Sequence, residues 1–151
     1  MEMNASEKIS IEEPKRRPLK EKWGDSLRQG FVVIPWVMLR RQKELGLESL
    51  ELVVLLLLIA SWWDTASAPY PSSQAVAKRM DVSVRTVQRC LKALQAKGFL
   101  LKQQPSLAND GASIVTRYDL TPLAVRLTDI VKDQIKLAQE AKREERSYTL
   151  N

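Results

Sequence analysis

The apolar positions fall into patterned segments separated by short breakers. Phe31–Ile34 (FVVI) is a short β-rich run closed by Pro35. Pro35 and Trp36 open a helix that the spacing carries to about Leu45, with Gly46 as its stop. Arg40, Arg41 and Lys43 decorate it as a solvated face, with backbone phosphate contact as a second role. Glu48–Asp64 is the clearest helix. Leu50, Val53, Val54, Leu57, Leu58 and Ser61 form one stripe, and Leu52, Leu55, Leu56 and Ile59 fill much of the remaining surface. A helix apolar nearly all round is buried on most sides. Trp62 and Trp63 end it. Paired tryptophans can serve as a base-stacking platform, but core packing is the reading preferred here, because Trp is usually placed by burial.

Thr65–Pro71 is a loop in which two prolines force extended backbone. After it, Ser72 or Ser73 caps a helix over Gln74–Met80, with Ala75, Val76 and Met80 facing inward. Asp81-Val82 makes the turn, with Val82 tucked inside. Ser83 then caps a second helix to Lys97, and Gly98 ends it as a left-handed residue. That second helix has two faces. Val84, Val87, Leu91 and Leu94 form a buried stripe at i, i+3, i+7 and i+10. Arg85, Gln88, Arg89 and Lys92 form a polar one at i, i+3, i+4 and i+7. Long donors at that spacing reach base edges and phosphates along a groove, so this reads as the recognition helix of a helix-turn-helix.

Phe99–Gln104 then reads as a strand, and Asn109-Asp110-Gly111 is a strong turn signal. In Ile114–Leu120, Ile114, Thr116, Tyr118 and Leu120 alternate with Val115, Arg117 and Asp119. Two strands around a polar loop directly after a helix-turn-helix make a wing, on which Lys102, Gln104 and Arg117 are placed to touch backbone. Thr121 caps a last helix, with Pro122 at its first position, and the pattern runs to about Arg146. Leu123, Leu127, Ile130, Gln134, Leu137 and Ala141 keep the 3-4 spacing of a heptad seam about three heptads long. The pattern fits a homodimerising helix, and also a helix folded back on its own domain. The dimer is the preferred expectation.

Three segments result. Residues 1–25 are polar, contain Pro14 and Pro18 and show no apolar period, so they read as a disordered basic arm. Its PKRRPLKEK run is a solvated tail or an arm that follows phosphates. Residues 26–120 are the winged helix-turn-helix, and residues 121–151 the C-terminal helix. The fold class is mostly α with a small β-hairpin wing, α+β.

Charge sharpens this picture. The chain has 151 residues and a net charge of +6, with a pI near 9.6. Lys78, Arg79, Arg85, Arg89, Lys92, Lys97 and Lys102 stand against the single acid Asp81, so this window alone carries the whole +6. A charge that only kept the chain soluble has no reason to concentrate so; a nucleic-acid footprint does. The one cysteine, Cys90, excludes an intramolecular disulfide and fits a reducing compartment. Its place beside Val87 and Leu94 reads as packing, not redox chemistry. With no histidine and one cysteine, the sequence has neither a His-based triad nor the donors of a zinc site, and the five scattered glycines make no phosphate loop. An enzyme is not expected, nor a metal or cofactor. Residues 1–11 lack the apolar core of a signal peptide, and the apolar run Leu52–Ala60 is too short to cross a membrane, so the expectation is a cytoplasmic protein.

The segment AVAKRMDVSVRTVQRCLKALQAKGFL resembles bacterial winged helix-turn-helix domains. It is similar to the GntR-type spacing at Ser83, Thr86, Val87, Leu91, Leu94 and Gly98. With the preceding long helix, YPSSQ and a wing ending in RYDL, Phe31–Leu120 looks closer still to domains of small regulators and of plasmid and phage replication proteins. The resemblance implies DNA contact by Ser83, Arg85, Thr86 and Arg89. Many relatives carry glycine in the turn where this chain has Asp81. Together with the polar stripe, the candidate interface is Ser72, Ser73, Gln74, Ser83, Arg85, Thr86, Gln88, Arg89, Lys92, Lys102 and Arg117. The expected function is sequence-specific binding of double-stranded DNA by a homodimeric transcriptional regulator, a repressor. One alternative is a plasmid or phage replication initiator or replisome loader that contacts replication machinery. The other is a winged-helix protein-interaction module.

Overall fold

The computed structural model describes residues 16–62, 71–108 and 110–149. Trp63, the loop after it, Asn109 and the start of the basic arm lie outside the described residues. Residues 1–32 and 33–151 form two separate units. In the first, α1 (Arg16–Trp23) leads into a 3-10 helix, Gly24–Gln29. The arm was expected to lack structure, yet its basic end is helical. Pro18 falls in the first turn of α1, where an absent N–H leaves no helical bond unmade.

The second unit begins with irregular backbone up to Pro35. The β-rich run Phe31–Ile34 forms no strand. The helix expected to reach Leu45 is broken at Arg41 (φ −109°, ψ 20°) into α2 (Trp36–Arg40) and α3 (Gln42–Leu45). Gly46 closes α3 in the left-handed conformation at φ 65°.

α4 (Ser49–Ala60) runs through the centre. A capping box starts it: Glu48 accepts from the backbone of Glu51, and Glu51 accepts from the Glu48 N–H at 3.1 Å. Its buried side chains are Glu51, Val54, Leu55 and Leu58. Leu50 and Val53, expected in the buried stripe, are 42% and 41% exposed. The helix is rotated from the expected face because Glu51, not leucine, points inward. Its Oε2 meets Lys97 Nζ at 2.6 Å, and that ammonium also donates to the Gly46 carbonyl at 2.6 Å.

α5 (Ser73–Met80) and α6 (Val84–Ala96) pack on one another, and α6 packs on α4. The core gathers Met38, Leu55, Leu58, Val76, Val87, Leu91, Leu94, Phe99, Leu100 and Leu120. On α6 the buried set is Val87, Cys90, Leu91 and Leu94. Val84, expected in that stripe, lies at the surface instead, at the first turn of α6. Gly98, at φ 76°, ends α6 in a Schellman arrangement: Phe99 N–H bonds to the Leu94 carbonyl and Gly98 N–H to that of Gln95, both at 3.0 Å.

The wing is a hairpin in two pieces. β1 (Leu101–Lys102) pairs antiparallel with β4 (Tyr118–Asp119), and β2 (Ser106–Leu107) with β3 (Ile114–Val115). Between them a single bond, Gln103 N–H to the Arg117 carbonyl at 2.9 Å, keeps the arms together. The expected six-residue strand breaks there because Pro105 has no N–H to give the ladder.

α7 (Thr121–Thr149) follows. Its first donor is satisfied by Asp119, whose carboxylate accepts from Thr121 N–H at 2.8 Å, and the Leu120 carbonyl accepts from Ala124. The cap thus lies before Thr121, earlier than the sequence suggested. Leu123 and Leu127 are buried in this chain's own core, and Ile130 packs against it. With its amide oriented to satisfy both groups, Gln134 accepts from Arg41 Nε at 2.8 Å. Leu137 (65% exposed) and Ala141 face outward. The first half of the heptad seam therefore folds back on its own domain.

Removing the Lys97 ammonium would leave the Glu51 carboxylate buried without its partner. Lys97→Ala is expected to cost about 2–4 kcal/mol of folding stability, the low side of the range for a broken buried pair because Lys97 is partly exposed. Chemical denaturation checks this. The double variant Glu51→Leu/Lys97→Met should recover most of the loss, and an equal loss in both variants would show that packing, not charge, holds this contact.

Candidate nucleic-acid interface

The two caps set the interface. Ser72 Oγ accepts from Ala75 N–H at 3.1 Å and starts α5, while Ser83 Oγ accepts from Thr86 N–H at 3.1 Å and starts α6. The Ser83 and Thr86 hydroxyls also bond each other at 2.9 Å. Between the helices Asp81 takes φ 53°, ψ 47°, the only non-glycine residue described with positive φ. Asp tolerates the left-handed region better than most residues, so it can stand where relatives carry glycine.

From that start α6 presents Arg85, Gln88, Arg89 and Lys92 on one exposed face, where they line a shallow open groove. A second groove lies between the start of α5, α6 and the wing. Ser72, Ser73, Gln88, Lys92 and Lys102 contribute to it, together with Leu91, Ile114, Val115 and Tyr118. Seven of the eleven candidate residues are thus brought to two adjoining grooves, with Gln88 and Lys92 in both, while Ser83 and Thr86 stay at the capped start of α6 and line neither. Gln74 is exposed on the first turn of α5 and lines neither. Arg117 turns into the wing, where its Nη2 donates to the Leu107 carbonyl at 3.2 Å. Lys97 is held by Glu51 and Gly46, so one cation of the basic window serves the fold.

Sequence reasoning missed three groups that support this surface. Glu51 was one; its only signal was a lone acid three residues after Glu48 at the start of an apolar run. Arg126 was another: it donates to the Lys97 carbonyl at 2.8 Å and lies over the Phe99 ring, 4.7 Å from its centroid, fixing α7 against the end of α6. The third is Asp110 at the wing tip. Its Oδ1 accepts from the N–H groups of Ala112 (2.9 Å) and Ser113 (3.0 Å), and its Oδ2 from the Ser113 hydroxyl (2.7 Å). These bonds favour the carboxylate, the Ser113 backbone bond most, and lower its pKa to about 2. Burial pushes the Cys90 thiol above its ordinary value, with the Glu51 carboxylate adding to the effect, as befits a packing residue. Burial likewise raises the Tyr118 phenol. Among the described residues, no group of His, Cys, Asp or Glu is placed to hold a metal ion, and no helix is long and apolar enough to cross a membrane.

The model of the DnaD N-terminal domain family matches residues 34–138. The chain belongs to the DnaD N-terminal domain family. The match spans α2 to the middle of α7 and contains every candidate DNA-contact residue. Among solved structures the chain is similar to the crystal structure of the N-terminal domain of DnaD protein from Geobacillus kaustophilus HTA426. The two are 27% identical with a TM-score of 0.55, over 80% of this chain and 97% of that one. No curated protein matches significantly. The GntR-type spacing remains a likeness of the helix-turn-helix segment, within a chain whose family is that of DnaD.

The depressed Asp110 pKa gives the wing tip a pH dependence of definite sign. The stabilisation of the tip is present above the ordinary carboxylate value of 3.8 and is lost as pH falls through about 2. NMR titration should show the Ala112 and Ser113 amides moving with a midpoint near the lower value. Asp110→Asn should abolish that transition, and a midpoint at the ordinary value would contradict the clamp.

Proposed function

We propose that this chain binds double-stranded DNA through the exposed stripe of α6 and acts in DNA replication, as an initiator- or loader-type protein. The observation carrying the DNA reading is the run Arg85, Gln88, Arg89 and Lys92 on one open face, beside a wing and with no acid in either lining. Membership of the DnaD N-terminal domain family favours replication over the repressor expected from sequence. A regulator would use the same surface and differ only in where its sites lie. The interaction-module reading has less support, since such a module needs no cationic recognition face.

In this reading Arg85 and Gln88 contact bases, while Arg89 and Lys92 bond phosphates. The Ser83 and Thr86 hydroxyls hold the end of α6 that meets the backbone. A second copy would pair through the outward face of α7 at Leu137 and Ala141, because Leu123, Leu127 and Ile130 are already engaged in the core. Contact with other replication proteins belongs to the same reading.

Sequencing the genomic fragments retained by the purified protein separates the two DNA roles. Clustered repeats at an origin support replication, and scattered promoter operators support regulation. On a retained site, Arg85→Ala should cost about 1–3 kcal/mol and relax specificity at one base pair. Lys92→Ala should weaken all sequences alike and lower the slope of log affinity against log salt by about one. If neither variant changes duplex affinity at fixed salt, α6 is not the reading helix.

A further inference from the structure

We propose that α1 lies on the surface of an anionic phospholipid bilayer and tethers this chain there reversibly, a role apart from the DNA contact of α6. The basis is a helix that couples cations to exposed apolar side chains. α1 holds Arg16, Arg17, Lys20 and Lys22 against the single acid Glu21, a net +3 in eight residues. In the 3-10 helix that follows, Arg28 is matched to Asp25 at 3.2 Å, so the excess charge belongs to α1. Leu19 and Trp23 stand one turn apart on one helix face, and Lys20 and Lys22 fall to either side of it. The Trp23 ring is 56% exposed, and the Lys22 ammonium lies over it, 5.5 Å from its centroid. Phe31 and Val32, in the same unit, are exposed as well.

The ligand that suits this face must bring anions and an apolar medium together. A DNA duplex offers phosphates to Lys20 and Lys22, but it leaves Trp23, Phe31 and Val32 in water, because its base faces are stacked away. The boundary of a bilayer with acidic headgroups supplies both. Headgroup phosphates meet the two ammonium groups. The indole settles at headgroup level with its N–H still hydrated, and the lysine stems reach outward from the apolar layer. The contact is with the surface only. Eight residues of α-helix extend about 12 Å, well short of a bilayer core, and cations border the apolar stripe on both sides. A basic cluster and an aromatic stripe together are the two signals that anchoring at an anionic membrane requires, and the first of them is weakened by salt.

The test is co-sedimentation of the full chain, free of DNA, with vesicles of equal parts phosphatidylglycerol and phosphatidylcholine, against vesicles of phosphatidylcholine alone. Binding should be confined to the anionic vesicles and should fall as salt is raised. Lys20→Gln should weaken it about fivefold, the worth of one basic residue at an anionic surface. Trp23→Ala should weaken it about tenfold, the low end for one large apolar side chain left in water. Both positions are exposed, so circular dichroism should not change. Arg89→Ala should leave vesicle binding intact, and Trp23→Ala should leave duplex affinity intact, so the tether and the DNA reading of α6 fail separately. Absence of binding, equal binding to both kinds of vesicle, or a loss in Arg89→Ala that matches the loss in Lys20→Gln overturns the tether. So does a Trp23→Ala variant that binds vesicles as before, or one that turns a dimer into a monomer in lipid-free sedimentation, which would assign the apolar face to a second copy.

Discussion

The fold depends on one charged contact at the edge of an apolar core, the Glu51–Lys97 pair, in which the carboxylate is buried and the ammonium partly exposed. Lys97 is the C-cap of α6, and Glu51 lies in the first turn of α4, so the pair locks the end of α6 to the start of α4. The ammonium bonds Gly46 as well, which ties the close of α3 to the same point. Arg126 reaches the Lys97 carbonyl from α7. Four helices therefore meet at the C-terminal end of α6. A buried pair adds little net stability over an apolar isostere, because both ions lose hydration. What it supplies is a choice of register, since any other rotation of α4 would leave a carboxylate without a partner.

That choice fixes where the functional face points. With the far end of α6 held and its near end capped by Ser83, the helix has no freedom to turn about its axis. Arg85, Gln88, Arg89 and Lys92 must then face away from the core. The same constraint passes through the turn. Asp81 accepts a left-handed backbone, which costs a side chain more than it costs glycine, and this turns the chain out of α5 and towards the Ser83 cap of α6.

Much of this was legible in the sequence. The two-faced pattern of α6, its Ser83 cap, the Gly98 stop and the order of wing and last helix all appear where residue spacing put them. What misled was the part of the sequence with least contrast. Leu50–Ile59 is apolar in every direction, so periodicity has no preferred face to report, and the stripe chosen through Leu50 and Val53 proved partly exposed. The deciding residue was the one acid in the run, which apolar counting passes over. The heptad seam of α7 was ambiguous for a similar reason. The spacing that suits a partner helix also suits the chain's own core, and only the depth of Leu123 and Leu127 distinguishes the two. The wing was read as longer strands because alternation ignores Pro105, whose missing donor divides the hairpin. As for the candidate site, the spacing located its α6 stripe, but could not show that Lys97 and Arg117 are turned to internal partners, since charge counting cannot tell a structural cation from an exposed one.

The distribution of charge then separates two jobs within one small interface. The cations left exposed on α6, Arg85, Arg89 and Lys92, lie along one helix face. The wing has Lys102 and Arg117 against Asp110 and Asp119, and three of these four bond groups within the domain. Its exposed apolar residues, Leu107 and Ile114, stand directly opposite one another across β2 and β3. A wing with charges in balance and an apolar edge gains little from phosphate alone. The physical contrast is therefore between a helix face with an exposed row of cations and a wing whose charges are matched internally, with an apolar edge left at Leu107 and Ile114.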